Sequence, residues 1–507
     1  MGGVFAVMVE PLESDASRFL ETPPMRVLSP NLLYVTILLI ACTTSGGVIL
    51  GTGAFSAKAR EEELLSSDDV DVVANFAFQM LTWVTLLWSV LHDSLGPRGC
   101  AVLGLLAAAG GHLILALAST HGFTSPYTYA VGLGLVGGGG MGAYISSFQF
   151  LNIQAFQRTR GLRTSLLAAA FNVAAYPLLL LNVGPISLGA FFYGYGAFAL
   201  CAAAVSALLF PDRAYDAAST PRVSGPPSCC SCLWPGLPAP RGGGGVRGCS
   251  QLAVQTWHDL RAAGDDLRTL RYWGFCLSFS WAALTQEWAG SAVGSGLLFP
   301  HADDSYLQYA VPLISNGTYL FAPLVGWLID ATGFSYASLL LVIAMQCTCV
   351  SLWLGSAIPG AEGAMQWLSL LLIAALAAIV YTIQYAYLTM TFKPASYPGL
   401  LATALLVQGS LGFLAWPVLS EVHPFGCADP CVGNFIMVLA PSAVLYAWPL
   451  WELLLRRRKL RESLSVSGSA APAVNTTRVS SSSLPAVPGG NTLSEALNGI
   501  PTPTRSD

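Results

Sequence analysis

The sequence predicts an all-α membrane protein with twelve transmembrane helices in two six-helix halves. Three observations carry that prediction. The chain is 54% hydrophobic and only 10% charged, against roughly 25% charged residues in soluble domains. Its apolar runs are long: a helix needs about 20 such residues to cross a bilayer. Only helices or closed barrels satisfy their backbone hydrogen bonds in lipid, and these runs are too continuous for barrel strands. Finally, an acidic turn stands twice between apolar runs, as Asp93-Ser94-Leu95-Gly96-Pro97-Arg98 and as Asp330-Ala331-Thr332-Gly333, half a chain apart. That repetition marks a duplicated bundle.

Residues 1–30 read as a short cytosolic lead. Glu10, Glu13 and Asp15 interrupt any apolar signal core, so the first span serves as an uncleaved insertion signal. A six-helix bundle follows over 31–210, with spans near 31–54, 71–91, 99–118, 126–149, 165–182 and 188–210. Residues 211–270 form a cytosolic linker, since Pro235 to Pro240 and Gly242-Gly243-Gly244-Gly245 cannot pack a core. Its end, from Gln251 to Arg271, mixes Leu, Val and Trp257 with charge at helical spacing, as on an inner membrane surface. The second bundle spans 271–455, with segments near 271–295, 307–329, 336–357, 366–391, 399–421 and 434–455. Arg456-Arg457-Arg458-Lys459 anchors the last span, and 456–507 is a Ser-, Thr- and Pro-rich disordered cytosolic tail.

Orientation follows from the basic residues. With both termini on one side, every Lys and Arg except Lys58 and Arg60 falls on that side, which is therefore the cytosol. The outer loops carry acid instead: Glu61-Glu62-Glu63, Asp68-Asp69 and Asp303-Asp304. The net charge of −4 is the sum of two unlike faces.

The twelve cysteines mostly fall inside spans, which excludes a secreted disulfide framework. Cys229, Cys230 and Cys232 on the linker lack a well-spaced fourth zinc ligand, so no metal site is expected. Cys427 and Cys431 lie in the last outer loop, where oxidation can join them. No nucleophile–base set is present, so the chain does not read as an enzyme, and no cofactor and no nucleic-acid partner are expected. The partners are a small-molecule substrate and the lipid bilayer.

The paired turns resemble the inter-helix loops of major facilitator superfamily transporters. Further residues resemble one branch, the sodium-independent large neutral amino acid (system L-like) transporters with their fungal and apicomplexan relatives. These are Ser45-Gly46-Gly47-Val48-Ile49-Leu50-Gly51, Gly137 to Gly140, Ile145 to Asn152, Arg160-Gly161, Ala168 to Asn172 and Thr285-Gln286. The resemblance covers nearly all of 31–455. It implies the major facilitator fold, alternating access, and gating roles for Asp93, Gly96, Arg98, Asp330 and Gly333. Two departures bear on substrate choice: the chain is apolar near Ala377, where an arginine is expected, and has Ala174-Ala175 where serines are common.

A carrier needs no nucleophile; it needs a polar midplane site opened to each side in turn. Substrate-binding candidates are Ser45, Gly46, Gly47, Asn172, Gln286, Glu287, Tyr381, Gln384 and Tyr385. The first three interrupt a span, either to bring backbone to a ligand or to pack helices closely. Glu287 is the acidic residue deep in a span, where charge costs roughly 2.5–3.5 kcal/mol unless paired or wetted. It either holds a substrate amino group, titrates in proton coupling, or bridges helices. Tyr381, Gln384 and Tyr385 share one helix face. Asn316, Tyr319 and Gln408 are further polar candidates, and His112 beside Gly110-Gly111 reads as a packing histidine. Asp330 and Asp93 are placed to cap a neighbouring helix or to pair with Arg; Arg158, Arg160 and Arg163 are the nearest basic cluster. The reading is an amino acid transporter working by facilitated diffusion or exchange. Another small organic solute such as a nucleobase, proton-coupled symport, and a nutrient-sensing receptor on the same fold are its rivals. The plasma membrane is the expected location, with a vacuolar or other internal membrane as the alternative.

Overall fold

A computed structural model describes residues 29–211, 264–294, 306, 310–358, 362–392, 396–420, 445–455 and 457–458. Residues 1–454 and 455–507 form separate compact units, and the account below concerns the first. The lead, most of the linker with its cysteine cluster, and Cys427 and Cys431 lie outside the described residues.

Regular structure among the described residues is helical. The first span is α1 (Pro30–Thr44), a 3-10 turn (Gly46–Gly51) and α2 (Thr52–Glu61). Ser29 caps α1 through the Leu32 N–H, and Pro30 costs nothing at the first helical position. Next comes α3 (Ser67–Thr120), opened by a Ser66–Asp69 capping box and broken at Gly96-Pro97 into two arms. Then follow α4 (Pro126–Ser147), α5 (Arg160–Val173), α6 (Tyr176–Val183) and α7 (Leu188–Leu209). Two 3-10 turns, Phe148–Asn152 and Gln154–Thr159, join α4 to α5. The second half comprises α8 (Leu270–Gly294), α9 (Val311–Ser315), α10 (Ala322–Thr332), α11 (Phe334–Ala357), α12 (Glu362–Thr391) and α13 (Tyr397–Ser420).

Seven helices among the described residues are long and apolar enough to cross a membrane, which makes this an integral multi-pass membrane protein. The expected twelve are not reached on that measure, for physical reasons. Seven glycines between Gly132 and Gly142 lower the hydropathy of α4, and α8 carries Arg271, Gln286 and Glu287. The segment expected at 307–329 is interrupted by a 3-10 turn (Gly317–Leu320) between α9 and α10. The segment expected at 434–455 is described only from residue 445.

The two acidic turns have the same backbone. Gly96 adopts φ 76°, ψ 173°, and Gly333 adopts φ 82°, ψ 178°. That region is open essentially to glycine alone, which explains why the residue recurs at both copies. The repeat seen as letters is therefore also a repeat of shape.

Packing inside lipid relies on close backbone approach rather than on hydrophobic burial. Gly47 shows the limit: a Cβ there would overlap the Phe171 carbonyl of α5. Replacing Gly47 by alanine is expected to abolish the folded, monodisperse protein, read as loss of the main peak in size-exclusion chromatography after detergent extraction; an unchanged profile would refute the close approach. Outward faces are apolar, as a lipid-facing surface requires: Leu324 and Trp327 on α10 are exposed, Trp327 to 63%.

Candidate functional site

A small cavity of about 20 Å³ lies where the two halves of the chain meet. It has room for about one water and none for an organic solute. From the first half, Phe78, Leu81 and Thr82 on α3, Met141 on α4 and Phe171 on α5 line it. Tyr381 and Tyr385 on α12, with Leu405 and Gln408 on α13, line it from the second. Three-and-four spacing puts each helix's contributors on one face. The Thr82 hydroxyl is spent on the Gln79 carbonyl at 2.9 Å, so the first half presents an essentially apolar wall.

The second half supplies the polar groups. Gln408 Nε2 donates to Glu287 Oε1 at 2.8 Å, and the Tyr381 hydroxyl donates to Gln286 Oε1 at 3.4 Å. Glu287 and Gln286 thus stand directly behind the cavity wall, each held by a residue that touches the cavity. Tyr385 stacks on Phe148 at 4.5 Å and meets Tyr144 edge-on at 5.4 Å, so aromatic rings from both halves enclose the space. Spare hydrogen-bonding capacity remains: Gln408 Oε1 on the wall is buried with no hydrogen-bond partner among the described residues, as is Nδ2 of Asn172, which does not itself line the cavity. An unsatisfied buried group costs about 1–3 kcal/mol, so such atoms favour a polar occupant.

Other expected residues lie elsewhere. Gln384 is fully buried with both amide atoms unpartnered, yet is not on the cavity wall. The Ser45-Gly46-Gly47 interruption is a true break, since α1 ends at Thr44 and Ser45 is extended. Its glycines face protein: Gly46 abuts Leu81 and the Gly137 carbonyl, and Gly47 the Phe171 carbonyl. They set the position of Phe171, a wall residue. Asn316 donates to the Pro312 carbonyl at 2.8 Å, and Tyr319 pairs edge-on with Tyr176. His112 is buried against Phe192 and Tyr195, as a packing residue is, with Nδ1 lacking a hydrogen-bond partner.

Cross-half hydrogen bonds gather at Asp330 and the start of α5. Asp330, on the last turn of α10, accepts from the Gly161 N–H at 2.8 Å and the Leu162 N–H at 2.9 Å. It therefore caps the N-terminus of α5, where free N–H groups and the helix dipole favour an anion. Arg160, one residue earlier, donates from Nη2 to Asn152 Oδ1 at 2.6 Å and to the Thr389 carbonyl at 2.7 Å. That carbonyl belongs to the last turn of α12, the end that attracts a cation. One helix start in the first half is thus latched to two helix ends in the second.

Small residues let the latches close. A Cβ on Gly161 would stand 2.6 Å from Asp330 Oδ1, and one on Gly326 would overlap the Ser165 hydroxyl. Sequence reading missed this seam, though Gly161, Ser165 and Ala169 recur every four residues opposite Ala322 and Gly326, the spacing of close helix pairs. Asp330, read as able to cap a neighbouring helix or to pair with Arg, caps α5 in this structure. Arg98 instead serves its own half, where its Nε donates to the Phe210 carbonyl at 2.7 Å and its N–H to the Pro211 carbonyl at 3.1 Å. Arg163 stays in its half too, 3.9 Å over the Phe156 ring and hydrogen-bonded to Asn31. The side chain of Asp93 lies outside the described residues.

Replacing Asp330 by asparagine puts an amide N–H₂ against one of two backbone donors. The carboxylate is partly exposed, so the loss is about 1.5 kcal/mol, a roughly tenfold shift toward opening at this end. Faster labelling of a cysteine placed at Ala169, buried behind the latch, checks it.

The architecture resembles solved transporters. The proton:xylose symporter XylE, bound to 6-bromo-6-deoxy-D-glucose, aligns with a TM-score of 0.53 at 17% identity, covering 84% of this chain and 96% of XylE. FucP in its outward conformation aligns with a TM-score of 0.53 at 13% identity, covering 83% of this chain and 99% of FucP. A variant of the E. coli fucose:proton symporter FucP gives 0.51 at 12% identity, with 82% and 98% covered. The fold is that of the major facilitator transporters. No protein-family model matches the chain, and no curated protein matches it. At these identities the likeness carries the major facilitator fold and leaves the system L-like branch as a matter for the site.

Proposed function

We propose that the chain carries a small organic solute across a membrane by alternating access, with its Asp330 end facing the cytosol. One observation supports this most directly: a small cavity with an aromatic-rich, largely apolar wall lies at the seam between the halves, while cross-half latches tie α5 to α10 and α12. Opening those latches would expose the cavity to that side, which is the movement a rocking carrier needs.

The solute fits best if it bears an apolar body for the wall residues Phe78, Leu81, Met141 and Phe171 and an ammonium group for Glu287, which stands behind the wall residue Gln408. An amino acid meets both requirements, moved by facilitated diffusion or exchange. Proton-coupled symport is the second reading, favoured by the placement of the Glu287 carboxylate behind the cavity wall and by the likeness to the proton symporters XylE and FucP.

Uptake into proteoliposomes tests the proposal, with labelled neutral, cationic and acidic amino acids, nucleobases, xylose and fucose, each with and without a proton gradient. Saturable amino acid uptake in the absence of the gradient is expected. Uptake that requires the gradient would select symport, and uptake of sugars or nucleobases alone would overturn the amino acid assignment.

A further inference from the structure

A second cluster, none of whose residues lines the cavity, joins the beginning and the end of the second half. Arg271, on the first turn of α8, donates from Nε to Glu452 Oε1 at 2.9 Å and to the Tyr387 hydroxyl at 3.0 Å. Its Nη2 reaches Glu452 Oε2 at 3.3 Å, and the Tyr387 hydroxyl donates to Glu452 Oε1 at 2.8 Å. Each of the three therefore bonds both of the others. The Glu452 side chain is 8% exposed, so these partners supply the hydrogen bonds that water would otherwise give it.

The placement of Tyr387 gives the cluster a wider role. It stands two residues before Thr389, whose carbonyl receives Arg160 from the first half. Its ring meets Phe334 edge-on at 5.2 Å, and Phe334 directly follows Gly333 of the Asp330 turn. Phe275 stacks on it at 4.7 Å, and Trp448 and Phe392 meet it edge-on at 5.4 Å and 6.0 Å. One side chain thus touches the structural support of both cross-half latches. A packed element of this kind moves as a unit rather than by small independent shifts.

We infer that Arg271, Tyr387 and Glu452 are positioning residues for the transport cycle, which hold the Thr389 carbonyl and the Asp330 turn in register to engage α5 together. The inference rests on the alternating-access reading for its meaning. Without the cluster, the two latches no longer form in concert, and the balance shifts toward opening at that end, while solute contacts at the cavity stay intact.

The test uses full-length protein, in detergent for labelling and in proteoliposomes for transport, with Ala169→Cys as reporter and native Cys276 as internal control. Ala169 is buried in a small cluster with Ala322 and Ala378 behind the latches, and Cys276 is buried within the second half beside the Arg271 cluster. Maleimide labelling at each site is followed by mass spectrometry for Glu452→Gln, Tyr387→Phe and Glu452→Asp. Labelling at 169 is expected to rise at least tenfold in the first two and less in the third, which keeps a carboxylate for both Arg271 and Tyr387, with Cys276 unchanged. Solute half-saturation measured from the opposite side should stay within twofold while turnover changes. Unchanged labelling at 169, or labelling of Cys276 that rises in step, would overturn the inference, the latter by revealing general loosening. Failure of all uptake, with the labelling pattern intact, would sink the transport reading and leave the coupling of the latches standing.

Discussion

Replacing Gly326 by leucine is expected to hold the carrier open at its Asp330 end. A Cβ there overlaps the Ser165 hydroxyl and falls 2.7 Å from both the Gly161 carbonyl oxygen and the Leu162 Cα. Two of those three neighbours are backbone, so they cannot turn aside; α10 must leave α5 instead. Overpacking of this kind costs about 1–3 kcal/mol, and separation also breaks the two bonds to Asp330. Together these reach about 3 kcal/mol, a population shift on the order of 100-fold. The cost is spent between two helices that part during the cycle, so the protein should still fold. Net uptake should fall sharply while labelling at Ala169→Cys accelerates. Normal uptake with slow labelling would show that the α5–α10 contact is not the gate.

Glu287→Gln carries the second large effect. The replacement is nearly isosteric, and its amide oxygen can still accept from Gln408 Nε2, so the inter-helix bond observed at 2.8 Å survives. Only the charge is lost. A charge-assisted hydrogen bond to a ligand ammonium is worth about 1.5–3 kcal/mol, which corresponds to a rise in half-saturation of roughly 10–100-fold for ammonium-bearing solutes. Solutes without a cationic group should be nearly unaffected. Equal losses for charged and uncharged solutes would assign Glu287 a bridging role between α8 and α13. Loss confined to gradient-driven uptake would assign it the coupled proton.

What the sequence could reveal here was local. The paired turns are legible because a glycine-only backbone leaves its mark in the letters, and the structure returns the same φ and ψ at Gly96 and Gly333. Glu287 is legible because charge inside an apolar run is expensive, and its carboxylate accepts from Gln408, which lines the cavity. The Ser45 break is legible as well, though not the neighbours of its glycines, which are fixed by how α1 lies on α4 and α5. The latches are the hard part. Asp330 and Gly161 are separated by 169 positions, and nothing near either residue names the other. Arg160 and Arg163 look alike as letters, yet one reaches across the halves and the other stays under Tyr34 and Phe156. Their difference is one of direction around a helix end, which only the packed bundle decides.

Trp327 offers an optical consequence. It is the residue after Gly326 and stands three before Asp330, with its indole directed to the apolar exterior. A chromophore so placed is touched by acyl chains, and any tilt of α10 alters that touch. In vesicles made with brominated lipid, the fluorescence difference between the native chain and Trp327→Phe should therefore report the gate's position without any attached dye. Titrating candidate solutes against that signal would turn the outer face of the bundle into an assay for what enters its centre.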